Sequence, residues 1–202
     1  MPRPSPASTA RAATSLSRQW VFGYGSLVHV ENLVRFLAGQ GLKLGAYRYE
    51  QLTGFRRTWS VAMDNAHKIA GYKCYVDAAT DERPEVFIGF ANIEPQAKAS
   101  IHGLLFEADA HALKILDQRE RNYRRTDVTR HIAAEVEGTV WTYVGHPDAN
   151  ARYHHALRTG MLVLDQSYVE DIAAAFANAG LPYEAELPPS VRIMGLKRVD
   201  ID

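Results

Sequence analysis

The chain has 202 residues, 47% of them hydrophobic and 23% charged, which are ordinary values for a globular protein of about one domain. Lys plus Arg and Asp plus Glu both number 23, so the net charge is zero and no global electrostatic case exists for nucleic acid or an anionic membrane as partner. Cys74 is the single cysteine, which excludes an intrachain disulfide and fits a reducing, cytoplasmic setting, and no apolar run reaches the length of a membrane-spanning helix.

Residues 1–18 are rich in Ser, Ala, Pro and Thr, carry Arg3, Arg11 and Arg18, and contain neither an acidic residue nor an apolar signal region. They read as a flexible tail ahead of a single domain over 19–202, although an organellar transit peptide would have the same composition. The stretch Trp20–Leu27 follows, an apolar and aromatic run ending in Gly23-Tyr24-Gly25-Ser26. It predicts a buried strand running into a loop with exposed backbone N–H groups, and Tyr24, Gly25, Ser26 and Leu27 are its candidate ligand-binding residues. Glycines at 23 and 25 would let the backbone approach a bound group, but a plain strand-to-helix turn has the same residues.

Apolar residues at 33, 34, 36 and 37 predict a short helix that stops at Gly39. If that helix starts just after Leu27, its N-terminal dipole adds to the anion-binding character of the loop. Two strands, 46–52 and 55–63, are predicted on either side of Thr53-Gly54. In the second, Arg57 shares a face with Phe55, Trp59, Val61 and Met63, so it points inward and needs an anionic partner, in a structural ion pair or a substrate. A strand holds Cys74 as a small core residue. Val86–Ala91 and Ser100–Glu107 are expected as antiparallel neighbours across Pro95.

Asp109 is a good N-cap for a helix over 110–121. Glu120 lies four residues after the apolar Leu116, hence on the core-facing side. A carboxylate there either meets a neighbouring arginine or sits in a partly dry pocket suited to acid/base work. Arg119, Arg121, Arg124 and Arg125 read as a solvated helix end. A hairpin is expected from 126–132 and 139–144, with either Trp141 or Tyr143 lining a pocket. The last helix, 166–179, reads as an ordinary packing element, and the tail to Asp202 as an extended wrap.

Other motif classes fail. Val28 stands where a dinucleotide fingerprint would have its third glycine, no phosphate-binding P-loop or Gly-x-Ser-x-Gly elbow occurs, and the eight histidines show no metal-ligand spacing. What remains is a pair of features: Phe22-Gly23-Tyr24-Gly25-Ser26-Leu27, and about 95 residues later a glutamate inside Leu116-Asp117-Gln118-Arg119-Glu120-Arg121-Asn122-Tyr123. Together with Leu52-Thr53-Gly54-Phe55-Arg56-Arg57, His102-Gly103-Leu104-Leu105-Phe106 and Thr142-Tyr143-Val144, they resemble the γ-glutamylcyclotransferase/AIG2-like superfamily over roughly residues 20–145.

That resemblance implies an α+β fold, a small and mostly antiparallel β-barrel surrounded by helices. It also implies a transferase or lyase reaction that converts a γ-glutamyl amino acid, peptide or amine to 5-oxoproline and a free amine. The substrate carboxylate would rest on the N–H groups of Tyr24–Leu27, Glu120 would be the general acid/base, and Tyr123 and Tyr143 are weaker candidates for pocket hydroxyls. No cofactor, metal, thiol or nucleotide is required, because nucleophile and electrophile are tethered in one small molecule. Nothing in the sequence stands against a homodimer. The stretch after Arg57, Trp59-Ser60-Val61-Ala62-Met63, departs from the Gly-Thr-Pro-Glu type sequence of the glutathione-specific branch, so the resemblance does not extend to that branch. A non-catalytic carboxylate-binding module on the same scaffold and a related acyl hydrolase are the alternatives.

Overall fold

Two unusually long strands organise the chain. β2 (Tyr47–Asp64) and β4 (Phe87–Glu107) pair antiparallel over nearly their whole length. Their inward faces are Leu52, Phe55, Trp59 and Val61 on one strand and Ile88, Phe90, Ile93, Ile101 and Leu105 on the other. The computed structural model describes residues 18–201 except 68, 184 and 189, so the expected tail lies, but for Arg18, outside the described residues.

Local sequence signals divide each long strand in two, and here the structure differs. Gly54 takes a left-handed conformation (φ 79°), and the register jumps from Thr53↔Ser100 to Phe55↔Pro95. One residue of β2 thus faces a four-residue bulge, 96–99, on β4, exposed at 96–98. A bulge bends a strand without ending it, and Pro95, which has no N–H to give a ladder, sits at its edge. The segments around Pro95 are therefore consecutive parts of one bent strand, both paired with β2.

β1 (Gln19–Gly23) lies between β4, antiparallel, and β6 (Thr139–Gly145), parallel. β5 (Tyr123–Asp127) pairs antiparallel with β6. The path β2-β4-β1-β6-β5 curls until the segment after β5 returns to β2, through the bridge Leu52↔Ile132 and the Ala133 N–H to Gln51 carbonyl bond of 3.0 Å. This is the expected α+β, largely antiparallel and barrel-like arrangement, with Trp20, Phe22, Leu52, Trp59, Ile93, Leu105 and Val140 in the core. The hairpin begins three residues earlier than expected, so Arg124 and Arg125 are exposed strand positions rather than a helix end.

α1 (Val30–Gly39) and α2 (Ala110–Arg119) cover the outer face of β1 and β4 through Leu33, Leu37, Leu113 and Leu116. α1 stops at Gly39 as expected, but Gln40 is its cap and the left-handed glycine that follows is Gly41 rather than Gly39. A 3-10 turn at Ser26–Val28 separates it from the loop, so its own N-terminus does not reach there. Two elements have no counterpart in the sequence reading: α3 (Pro147–Thr159) has Pro at its start and left-handed Gly160 at its end, and β7 (Leu162–Asp165) joins the sheet parallel to β4. β8 (Arg192–Met194), within the tail read as extended, joins β7. α4 (Gln166–Asn178) packs Ile172 and Phe176 into the core. The C-terminal wrap is β9 (Leu196–Asp200), paired with β3 (Lys73–Asp77) as a separate two-stranded sheet. Among the described residues no helix is long and apolar enough to cross a membrane.

β1 can lie against β4 because Gly103 has no side chain: a Cβ there would meet the Gly23 carbonyl oxygen and come within 2.6 Å of the Phe22 ring. Gly103→Ala is expected to destabilise the fold by roughly 3 kcal/mol, the upper range of overpacking costs. Urea denaturation checks this, and a stability equal to the parent chain would contradict the packing described.

Candidate functional site

The site begins where β1 runs out. Gly23 ends the strand, and the chain folds back so closely that a Cβ on Gly23 would stand 2.5 Å from Leu27 Cβ. The following 3-10 turn makes its first bond from Val28 N–H to the Gly25 carbonyl at 3.0 Å, which leaves the N–H groups of Ser26 and Leu27 ahead of it for another acceptor. Tyr24 anchors this loop from below: its ring is buried and its hydroxyl donates to the Tyr143 carbonyl at 2.5 Å. Arg57 is buried and inward, as its strand periodicity predicts. It donates from Nε to the Tyr24 carbonyl (3.0 Å) and from Nη2 to the His102 carbonyl (2.7 Å), beneath the rings of Phe176 and Tyr183. These backbone carbonyls and aromatic faces are among the partners of its charge, and through the Tyr24 carbonyl it holds the loop.

Glu120 approaches the same loop from α2. Asp109 caps the start of that helix, its Oδ1 accepting the Ala112 N–H at 2.7 Å, and Glu120 is the C-cap, its N–H bonded to the Leu116 carbonyl at 2.9 Å. Its side chain is only 15% exposed. The neighbouring arginine expected for this carboxylate is present. Arg119 Nε lies 3.3 Å from Glu120 Oε1, and the same guanidinium donates to Ser26 Oγ at 3.2 Å while lying over the Phe36 ring. Yet Glu120 also faces the loop, across a cavity of about 30 Å³ lined by Gly23–Leu27, Tyr123, Tyr143 and Tyr168. This small recess adjoins a cavity of about 680 Å³, with Ser26, Glu120, Tyr123 and Tyr168 common to both.

The structure therefore brings Tyr24, Gly25, Ser26, Leu27, Glu120, Tyr123 and Tyr143 to one place. The hydroxyls of the last two have protein acceptors: Tyr123 donates to the Ala91 carbonyl (2.7 Å) and Tyr143 to Asp117 Oδ1 (2.9 Å). Tyr143, rather than Trp141, is the hairpin residue at the recess. Sequence reasoning missed Tyr168 on α4, whose hydroxyl would stand 3.4 Å from a Cβ at Gly25. The available signal was its position four residues before Ile172, on the core face of a helix read as packing only. Burial raises the pKa of Tyr24, Tyr123, Tyr143 and Tyr168, with the Glu120 charge adding in the same direction. All four therefore surround the carboxylate as neutral hydroxyls at physiological pH.

Lys73, at the start of β3, was also missed. It lines the larger cavity, with its ammonium 4.6 Å from the Phe90 ring centroid and 5.7 Å from that of Tyr75. Burial pulls its pKa from 10.5 to about 8, against the opposing attraction of Glu120. A base whose folded pKa is depressed costs stability while both states are charged, below about pH 8, and that cost is relieved as pH rises towards the unfolded value. Lys73→Met is accordingly expected to be more stable than the parent at pH 7, by roughly 1–2 kcal/mol, with the advantage shrinking by pH 10. Urea denaturation of both proteins at the two pH values checks this; a difference independent of pH would contradict the burial of a charged amine.

A search of curated proteins returns no match to the chain. Among solved structures, one named gamma-glutamyl cyclotransferase superposes with a TM-score of 0.50 at 14% identity, over 81% of this chain and 80% of that one. A yeast gamma-glutamyl cyclotransferase specific to glutathione gives a TM-score of 0.49 at 14% identity, over 83% of this chain and 90% of that one. An Arabidopsis thaliana protein, At5g39720.1, gives 0.42 at 18% identity, over 85% and 99%. The first of these likenesses, at 14% identity, is one of fold alone. The sequence profile of the family described as "Gamma-glutamyl cyclotransferase, AIG2-like" matches residues 21–161, a span that holds the loop, Arg57, Lys73, Glu120, Tyr123 and Tyr143, and the chain belongs to that family.

Proposed function

We propose that the chain is a γ-glutamylcyclotransferase that releases an amine from a γ-glutamyl compound and leaves 5-oxoproline. The observation that carries this reading is the single recess shared by the Tyr24–Leu27 loop and the Glu120 carboxylate, opening beside a cavity large enough for a dipeptide-sized ligand. The recess alone is too small for a glutamyl group, so binding requires Arg119 to leave its place between Ser26 and Glu120. The substrate α-carboxylate then takes that place, accepting from the N–H groups of Ser26 and Leu27 and from the displaced guanidinium.

With its arginine drawn to the substrate, Glu120 is the base that removes a proton from the α-ammonium. The freed amine attacks the γ-carbonyl carbon of the same molecule, forming the C–N bond of a five-membered lactam. Glu120 passes its proton to the leaving nitrogen, and the tetrahedral intermediate collapses as the bond to that nitrogen breaks. The ring nitrogen gives up its second proton by the same carboxylate, so the α-ammonium ends as a lactam N–H and the released amine as an ammonium, and atoms balance without water. The chain's contribution is to hold the folded conformer and shuttle these two protons, which accounts for a site built from N–H groups, hydroxyls and one carboxylate.

Glu120→Gln keeps the shape of the side chain and removes its basicity. The expected outcome is a loss of 5-oxoproline formation by about 10²–10⁴-fold, followed by mass spectrometry on a panel of γ-glutamyl amino acids and amines, with circular dichroism confirming an intact fold. Retained 5-oxoproline in a folded Glu120→Gln protein would sink the proposed role. Free glutamate in place of 5-oxoproline would instead identify a hydrolase.

A further inference from the structure

The larger cavity has a polarity of its own. On one wall two cations lie near the Tyr72 ring, with Lys73 Nζ 6.0 Å and the Arg121 guanidinium 5.2 Å from its centroid. The Tyr72 hydroxyl accepts from Asn122 Nδ2 at 3.1 Å, which holds the ring beside the two charges. The other arginines of this cavity are neutralised: Arg119 pairs with Glu120, and Arg198 donates twice to Asp200. Lys73 and Arg121 are not. Arg121 donates to the Gln118 carbonyl, and among the described residues no carboxylate forms an ion pair with either side chain. Asp171, also on this cavity, is exposed to solvent.

A partly buried ammonium without a counter-ion is costly, and such cost tends to persist where a ligand supplies the missing charge. The depressed pKa of Lys73 has that origin, since burial outweighs the attraction of Glu120. The cations line the part of the site beyond the Glu120 recess, away from the loop that would hold the γ-glutamyl head.

We infer that Lys73 and Arg121 form a carboxylate-binding wall for the leaving group, which makes the preferred substrates γ-glutamyl amino acids or peptides rather than γ-glutamyl alkylamines. The inference rests on the proposed cyclotransferase reading and deepens it. Lys73 and Arg121 are specificity-determining residues in it, taking no part in the proton transfer. Part of this wall depends on the C-terminal segment beyond the family match, because β9 pairs with β3 and places Cys74 opposite Val199 and Lys73 opposite Asp200.

The test compares two substrates of similar size, γ-glutamyl-alanine and γ-glutamyl-ethylamide, which differ in the leaving-group carboxylate. The parent chain is expected to favour γ-glutamyl-alanine in kcat/KM by tenfold or more. In Lys73→Met and in Arg121→Met that ratio falls towards one through a raised KM for γ-glutamyl-alanine, and Lys73→Arg restores most of it. Equal kcat/KM for the two substrates in the parent, or a ratio that Lys73→Met leaves untouched, overturns the inference while 5-oxoproline formation keeps the cyclotransferase reading intact. If neither compound yields 5-oxoproline, that reading fails, and calorimetric Kd values for the same pair decide the wall separately. A Lys73-dependent preference for the carboxylate upholds it, and its absence overturns it.

Discussion

A buried guanidinium holds the active end of this fold together. Arg57 projects inward from β2, donates to the carbonyl of Tyr24 in the loop after β1 and to that of His102 on β4, and lies against Phe176 of α4. One side chain therefore ties three separate parts of the chain to the loop that borders the recess. Carbonyl oxygens and ring faces stand in for part of the water that this charge loses on burial. The Tyr24 hydroxyl adds a second tie, to the backbone of β6, and the residues of the clamped loop line the recess. Shape is set here by polar contacts beneath the loop, while the apolar core supplies the bulk of the burial.

Several features were legible in the sequence because they rest on short-range rules. Asp109 as a cap, the inward face of β2 including Arg57, the Gly23–Leu27 turn and the core-side placement of Glu120 all follow from local periodicity and capping chemistry. What failed depended on pairing at a distance. Gly54 and Pro95 look like strand breaks when each is read alone; they belong to one irregularity, in which Gly54 lies opposite the bulge at 96–99 and Phe55 pairs with Pro95. The arginines at 124 and 125 read as a helix end because nothing local announces that Glu120 caps the helix and β5 begins at Tyr123. Tyr168 and Lys73 were invisible as site residues for the same reason. Their segments read correctly as a helix and a strand, but only the tertiary packing of α4 and of the β3–β9 pair turns them towards Glu120.

The division of labour along the chain is informative. The family match ends at Met161, and within it lie the loop, its clamps and Glu120, the parts that a γ-glutamyl head would meet. The later residues contribute Tyr168 to the recess and β9 beside β3 on the larger cavity, so the region where a leaving group would lie is built partly by the segment outside the match. Arg119 links the two regions, since it touches both Ser26 and Glu120, and its movement on binding is the step on which the proposed reaction depends.

The most direct measurement of that account is a crystal structure of Glu120→Gln with γ-glutamyl-alanine bound. The account predicts the α-carboxylate within hydrogen-bond distance of the Ser26 and Leu27 N–H groups, Arg119 turned from residue 120 to the ligand, and the α-nitrogen beside the side-chain amide at position 120. A ligand seated elsewhere, or one bound with Arg119 still bridging Ser26 and residue 120, would contradict it.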